Sequence, residues 1–288
     1  MYFESLSEAI TSKGNPSVLG LDPKLEYVPP FLREGKSVSD ALYDFNRGLI
    51  DSCADLIPAI KPQSAYYEMY GAEGLDALRR TIEYASRAGM YVILDAKRGD
   101  IGTTAEAYAK AYLCPGSDID CITINPYLGS DGVKPFINEC IANDKAVFSL
   151  IKTSNKSSAE LQDIDIGAGK PFYRHVAELT VQWGADYIGT DGYSVIGGVV
   201  GATHPYQLAE LRKLMPQTFF LIPGYGAQGG LAQDVALGFD SKGGGAIVNS
   251  SRGLMCAYQK QNDPENYKTH TRNAVIAMRD DIMQYVRK

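Results

Sequence analysis

The feature that most constrains this chain is a rhythm. Short apolar runs at residues 17–21, 56–60, 90–94, 120–124, 146–151, 185–189, 218–222 and 245–249 are separated by longer segments of helical period. Leu42, Phe45 and Leu49 fall on one helical face, and Ala105, Tyr108, Ala109 and Tyr112 follow an i, i+3, i+4, i+7 spacing. Strands that alternate with helices predict a parallel sheet, because parallel neighbours need a long return connection. Eight strand–helix units are the count for a closed (β/α)₈ TIM barrel of the α/β class. The competing fold, an open doubly wound sheet, normally carries a glycine-rich phosphate loop after its first strand. Here the first run ends in Leu21-Asp22-Pro23-Lys24, with no such loop.

The 288 residues suit one barrel domain spanning 1–288, with no linker, repeat or low-complexity tract. Thr103 and Glu106 have the spacing of a capping box at the head of a helix over 103–113. The connection 154–169 is long and polar and is expected to be an unstructured loop or a lid. The segment 263–288 carries a stripe of Val275, Ala277, Met278 and Met283 and is expected to be the closing helix.

Composition narrows the functional classes. A net charge of −6 argues against a nucleic-acid surface, whose nonspecific affinity comes from Lys and Arg. The five cysteines form no CxxC pair and read as reduced thiols of a cytoplasmic protein. The three histidines lack HxxxH or HExxH spacing, so no zinc site is expected. The opening MYFESLSEAITSKG has acidic residues and no continuous apolar run, which predicts no signal peptide. No apolar stretch is long enough to span a bilayer, so no membrane partner is expected.

Barrel active sites form where strands end in loops at the C-terminal face. Read at those positions, strand one delivers Asp22, strand two Lys61, and strand three Asp95 and Lys97, with Asp100 just beyond. Strand five delivers Lys152, Thr153 and Ser154. Asp95 and Lys97 are two apart, so a regular pleat sends both into the barrel mouth. Any one of these charges could simply face water or form a structural ion pair. Asp22, Lys61, Asp95 and Lys97, four converging charges of both signs at one end of an apolar sheet, point to chemistry.

Strand seven leads into Pro223-Gly224-Tyr225-Gly226-Ala227-Gln228-Gly229-Gly230, and strand eight into Ser250-Ser251-Arg252-Gly253. Glycines alone would mean a tight turn. With Arg252 after the next strand they read as a phosphate grip, since barrel phosphate sites commonly use these two loops. Backbone N–H groups can approach the anion, Arg252 can bind two oxygens, and Gln228 can donate a further hydrogen bond.

At these residues the sequence resembles the orotidine 5′-monophosphate decarboxylase family. The matching stretches are Leu94-Asp95-Ala96-Lys97-Arg98-Gly99-Asp100-Ile101-Gly102-Thr103-Thr104, the Pro223–Gly230 run, Ser251-Arg252-Gly253 and the lone Lys61. The Asp-x-Lys-x-x-Asp motif by itself is shared with sister sugar-phosphate enzymes; with Lys61 and Gly-Ala-Gln-Gly it is specific. The length and Lys152-Thr153-Ser154-Asn155 resemble the longer type 2 branch, from which Lys156 departs where proline often follows. The resemblance implies decarboxylation of orotidine 5′-monophosphate (OMP) to UMP in pyrimidine biosynthesis, without a cofactor or metal, by a homodimer with shared sites. It implies that Lys97 protonates C6 and that Asp95 sits against the substrate carboxylate. Asp22 and Lys61 would contact the ribose hydroxyls, and Ser154 would read the pyrimidine edge. Gln228 and Arg252 would hold the phosphate. Asp100, Ile101 and Thr104 would enter the neighbouring subunit's site.

Two rivals remain at this point. A Mg²⁺-dependent sugar-phosphate decarboxylase or aldolase of the same barrel group is expected to carry an acid after strand two, where Lys61 stands. A non-catalytic nucleotide-binding barrel would have little use for both Asp95 and Lys97.

Overall fold

The computed structural model describes residues 2–226 and 228–286. Ala227 of the glycine-rich run, and Arg287 and Lys288 at the end of the expected closing helix, lie outside the described residues. Eight parallel strands close into one barrel in chain order: β1 Ser17–Leu21, β2 Ala59–Pro62, β3 Tyr91–Arg98, β4 Cys121–Ile124, β5 Ala146–Lys152, β6 Ile196–Val200, β7 Phe220–Pro223 and β8 Ala246–Ser250. β1 pairs with both β2 and β8, so the sheet has no free edge.

The two-residue pleat sorts each strand into an outer and an inner set. Outward residues such as Leu19, Ile60, Val92, Leu94, Ile122 and Val147 pack under the helical layer. Inward residues Val18, Ala59, Ile93, Cys121, Phe148, Phe219 and Ile247 fill the barrel interior. Phe3 and Leu6, at the start of the N-terminal helix Glu4–Lys13, belong to the same inner core. Phe3 stacks on Phe219 with ring centroids 4.9 Å apart. Burying both faces of the sheet is what makes the strands continuous apolar runs rather than alternating ones.

The sixth strand is not where the apolar run 185–189 placed it. Residues 187–195 instead fold back on themselves, with Gly189 N–H donating to Tyr193 O at 2.7 Å and Val195 N–H to Tyr187 O at 2.9 Å. The true strand, Ile196–Val200, contains Gly197 and Gly198, which ordinarily weaken a strand. Here packing requires them. A Cβ on Gly197 would lie 2.6 Å from the Phe148 ring and 2.7 Å from Phe219 O.

Three further expectations need correction. The helix Gly102–Leu113 begins after Ile101, so Thr103 sits within its first turn and no side-chain cap forms. The connection after β5 is not unstructured: it holds a 3₁₀ turn, Lys156–Ser158, and one helical turn, Ala159–Gln162. The closing helix runs Tyr267–Val286 and buries Thr271, Val275, Met278 and Ile282, while Ala277 is exposed. Among the described residues no helix is long and apolar enough to cross a membrane.

Candidate active site

A cavity of about 770 Å³ opens at the C-terminal ends of the strands. The inner-facing pleat positions that are apolar lower down become polar here. Lys61 follows Ala59, Asp95 follows Ile93, Thr123 follows Cys121 and Asn249 follows Ile247, each two residues on, and all four line the cavity. The same periodicity that builds the core therefore aims the polar groups.

Asp95 is the hub. Its Oδ2 accepts from Lys61 Nζ at 2.8 Å, and its Oδ1 accepts from Lys97 Nζ at 2.6 Å and from Thr123 Oγ1 at 2.8 Å. Lys61 is 4% exposed and Asp95 7%, so this is a nearly dry ion pair with the second ammonium at its open side. Burial works to raise the Asp95 carboxyl, but Lys61 and Lys97 overcome it and hold the group well below the usual carboxylate range. For Lys61, burial works to lower the ammonium, and Asp95 and Asp22 reverse that, raising it above an ordinary lysine. Both groups are therefore charged at neutral pH.

Asp95 and Lys97 do share the cavity, but not through a regular pleat. β3 shifts register against β4 between Leu94 and Arg98. Lys97 itself has φ 47°, a left-handed conformation rare for a lysine, with its N–H donating to Thr123 Oγ1 at 2.9 Å. Bulges commonly re-aim side chains beside active sites. Thr123 thus holds both the carboxylate and the strained backbone. Reading strand ends for charge overlooked it, because a hydroxyl on β4 carries none; the pleat position two beyond Cys121 was its only signal.

A second bulge acts in the opposite sense. β5 shifts register against β6 between Leu150 and Lys152. Leu150 lines the cavity, whereas Lys152 does not. Lys152 is fully buried beneath the next loop, pairing with Asp163 at 2.6 Å and Ser158 Oγ at 3.3 Å, above the Tyr173 ring. Thr153 is fixed by Gln162, which accepts its N–H at 2.9 Å and donates to its Oγ1 at 2.7 Å. Gln162 and Ser154 both line the cavity. Ser154 packs so close to Gly201 that a Cβ there would fall 2.8 Å from its backbone.

At the opposite wall, Gln228 and Arg252 line the cavity, and among the described residues neither side chain is paired in a hydrogen bond or ion pair. Asp22 Oδ1 is buried without a hydrogen-bond partner, as is Asn249 Oδ1. Buried polar atoms are normally satisfied, so these two acceptors are groups waiting for a ligand, while Arg252 and Gln228 stand exposed on the cavity wall. The structure therefore gathers Asp22, Lys61, Asp95, Lys97, Ser154, Gln228 and Arg252 in one cavity. Asp100, Ile101 and Thr104 do not line it. Asp100 Oδ1 accepts the Ile101 N–H at 2.8 Å, and Ile101 is 55% exposed beyond it.

Comparison with known proteins agrees with this geometry. Residues 19–267 match the orotidine 5′-phosphate decarboxylase/HUMPS family. The orotidine 5′-phosphate decarboxylase of Clostridium tetani is 41% identical over 287 residues, covering 99% of each chain. The Leishmania donovani OMP decarboxylase structure superposes with TM-score 0.76 at 34% identity, covering 97% of this chain and 99% of that one. The structure of Leishmania donovani UMP synthase superposes with TM-score 0.81 at 35% identity, over 99% of this chain and 56% of the other. From its closed barrel, its charged hub and these relatives, the chain belongs to the orotidine 5′-phosphate decarboxylase/HUMPS family.

Proposed function

We propose that this cavity decarboxylates orotidine 5′-monophosphate to UMP without a coenzyme, with Lys97 as the proton donor. The observation that carries the reading is the Asp95 carboxylate held between two ammonium groups, in the same cavity as an unpaired arginine. The C6–carboxylate bond breaks heterolytically and its electron pair stays on C6 as CO₂ leaves. A proton then passes from Lys97 Nζ to C6, and solvent reprotonates the amine. An sp² carbanion has little resonance relief, so its stabilisation falls to fixed charge nearby. The contact between Lys97 and C6 strengthens as negative charge develops there, which is what lowers a barrier.

Asp95 beside the leaving carboxylate is unfavourable before reaction. Two like charges ~4 Å apart at an effective dielectric of ~20 repel by ~4 kcal/mol, against total barrier reductions of ~8–23 kcal/mol for enzymes. Repulsion is therefore secondary, and the main work of Asp95 is to orient Lys61 and Lys97. The orphaned Asp22 Oδ1 suits a ribose hydroxyl, with Lys61 beside it. Ser154 would read the pyrimidine edge, and Gln228 and Arg252 would take the phosphate.

The same reading makes the protein a homodimer in which Asp100, Ile101 and Thr104 of the partner subunit complete each site. In support, these residues sit outside their own cavity, beside a rim of exposed apolar side chains: Ile101, Tyr127 and Leu128. Gly132 packs on the Asp100 backbone, where a Cβ would lie 2.9 Å from Asp100 O and 3.3 Å from the Leu128 side chain.

The test is a spectrophotometric assay with OMP, before and after EDTA treatment. Loss of the OMP absorbance at the same rate in both supports the proposal. Activity that disappears with EDTA favours the Mg²⁺-dependent rival, although Lys61 puts a cation where that chemistry wants an acid. UMP binding without turnover favours a binding barrel.

A further inference from the structure

The loop 224–230 poses a physical problem. Four of its residues are glycine, and Gly224, Gly226 and Gly229 have φ of 102°, 68° and 95°. Glycines give the backbone access to an anion but lose the most conformational freedom on ordering. The loop's own hydrogen bonds close only a local turn: Gly230 N–H to Gly224 O at 3.1 Å, Gly226 N–H to Gly230 O at 2.9 Å and Gly229 N–H to Gly226 O at 2.9 Å. Among the described residues, one side-chain hydrogen bond ties this loop to the rest of the molecule. Tyr225 Oη donates to Asp281 Oδ2 at 2.6 Å, reaching the closing helix Tyr267–Val286.

Tyr225 is also a wall between two spaces. It lines the main cavity on one side. On the other it borders a cleft of about 900 Å³, shared with Arg252, Met278 and Asp281. The phosphate-side arginine and the loop are thus backed by the same helix. Burial, and then the Asp281 carboxylate, raise the Tyr225 phenol far above its ordinary value, so the donor proton stays in place at any working pH.

We propose that Tyr225 and Asp281 form a positioning pair by which the closing helix holds the 224–230 loop in its anion-accepting shape. This rests on the reading of that loop and Arg252 as the phosphate site. Neither residue of the pair belongs to the hydrogen-bonded hub around Asp95. Loss of the pair should act on the affinity for the phosphate end of the substrate rather than on the chemical step.

The test compares Tyr225→Phe, Asp281→Asn and the double variant with wild type, using Arg252→Ala as reference. KM for OMP and the inhibition constant of inorganic phosphate should each rise about tenfold in either single variant, with kcat within about twofold. The double variant should be no worse than the singles, because both remove one hydrogen bond. A merely structural role would lower kcat and the melting temperature and leave the phosphate inhibition constant of the folded fraction unchanged, which overturns the proposal. If Arg252→Ala weakens phosphate inhibition while the Tyr225 and Asp281 variants match wild type, the phosphate reading stands and the positioning pair falls. If Arg252→Ala leaves phosphate inhibition untouched, the phosphate reading fails and the inference falls with it.

Discussion

Lys61 Nζ lies 2.8 Å from Asp95 Oδ2, with 5% of the lysine side chain and 10% of the aspartate side chain exposed. Removing one partner of such a pair leaves the other charge uncompensated in a poor solvent, at a typical cost of ~3–5 kcal/mol. Asp95→Asn keeps the shape and removes the charge that serves both lysines. It should lower stability by about 3 kcal/mol in urea unfolding and reduce kcat/KM by at least about a thousandfold. An Asn variant that turns over OMP within tenfold of wild type would remove Asp95 from the mechanism.

The same pair sets a pH window. The Asp95 carboxyl is depressed, so its contribution is present above the unfolded carboxylate pKa of ~3.9 and is lost as pH falls through the lower folded value. The Lys61 ammonium is raised, so its contribution is present below the unfolded lysine pKa of ~10.4 and is lost as pH rises through the higher folded value. The stability difference between wild type and Lys61→Met should therefore stay flat between about pH 5 and 9 and change only outside that range. Unfolding curves at four or five pH values check this; a slope within the window contradicts it.

Lys152 and Asp163 test a different link, from bulge to loop. Lys152 is fully buried and its carboxylate partner Asp163 is about one-third exposed, so the pair is less desolvated than Lys61–Asp95. Asp163→Leu should cost about 2–4 kcal/mol, and Lys152→Met/Asp163→Leu should recover most of it, because two apolar groups replace a half-pair. Urea unfolding of the four proteins closes the cycle. A double variant as unstable as Asp163→Leu would mean that the buried lysine is not the source of the cost.

How much of this was legible in the sequence depends on what kind of signal each residue carries. Seven of the eight apolar runs overlap strands, because a doubly buried parallel strand must be apolar at nearly every position. The charged set Asp22, Lys61, Asp95 and Lys97 was legible because charge at a strand end stands out against that background. Bulges have no such signature, so the turn of Lys152 away from the cavity and the real reason Lys97 enters it were hidden. β6 was hidden for an opposite reason: its glycines look like loop and are demanded by neighbours that sequence proximity does not reveal. This yields a prediction. Gly197→Ala places a methyl 2.6 Å from the Phe148 ring and 2.7 Å from a backbone oxygen. Overpacking of this kind typically costs ~1–3 kcal/mol, so Gly197→Ala should lower the urea midpoint with an unchanged m value. A midpoint at or above that of wild type would show that the interior has slack there.

The position of Asp100 allows the shared site to be tested without a structure of the dimer. Asp100 follows β3, the strand of Asp95 and Lys97, by two residues and yet does not line its own cavity. If it serves the partner's cavity, Asp100→Ala and Lys97→Ala each inactivate the homodimer, but for defects in different chains. In a mixed dimer, one cavity receives intact Lys97 from the first chain and intact Asp100 from the second, while the other cavity has neither. Random reassortment of equal amounts makes half the dimers mixed, each with one complete site of two, so activity should return to about a quarter of wild type. Refolding the two variants together from denaturant and assaying with OMP measures it. If the mixture stays as inactive as its components while size exclusion shows that dimers have exchanged, Asp100 acts within its own chain or not at all, and the homodimeric site is wrong.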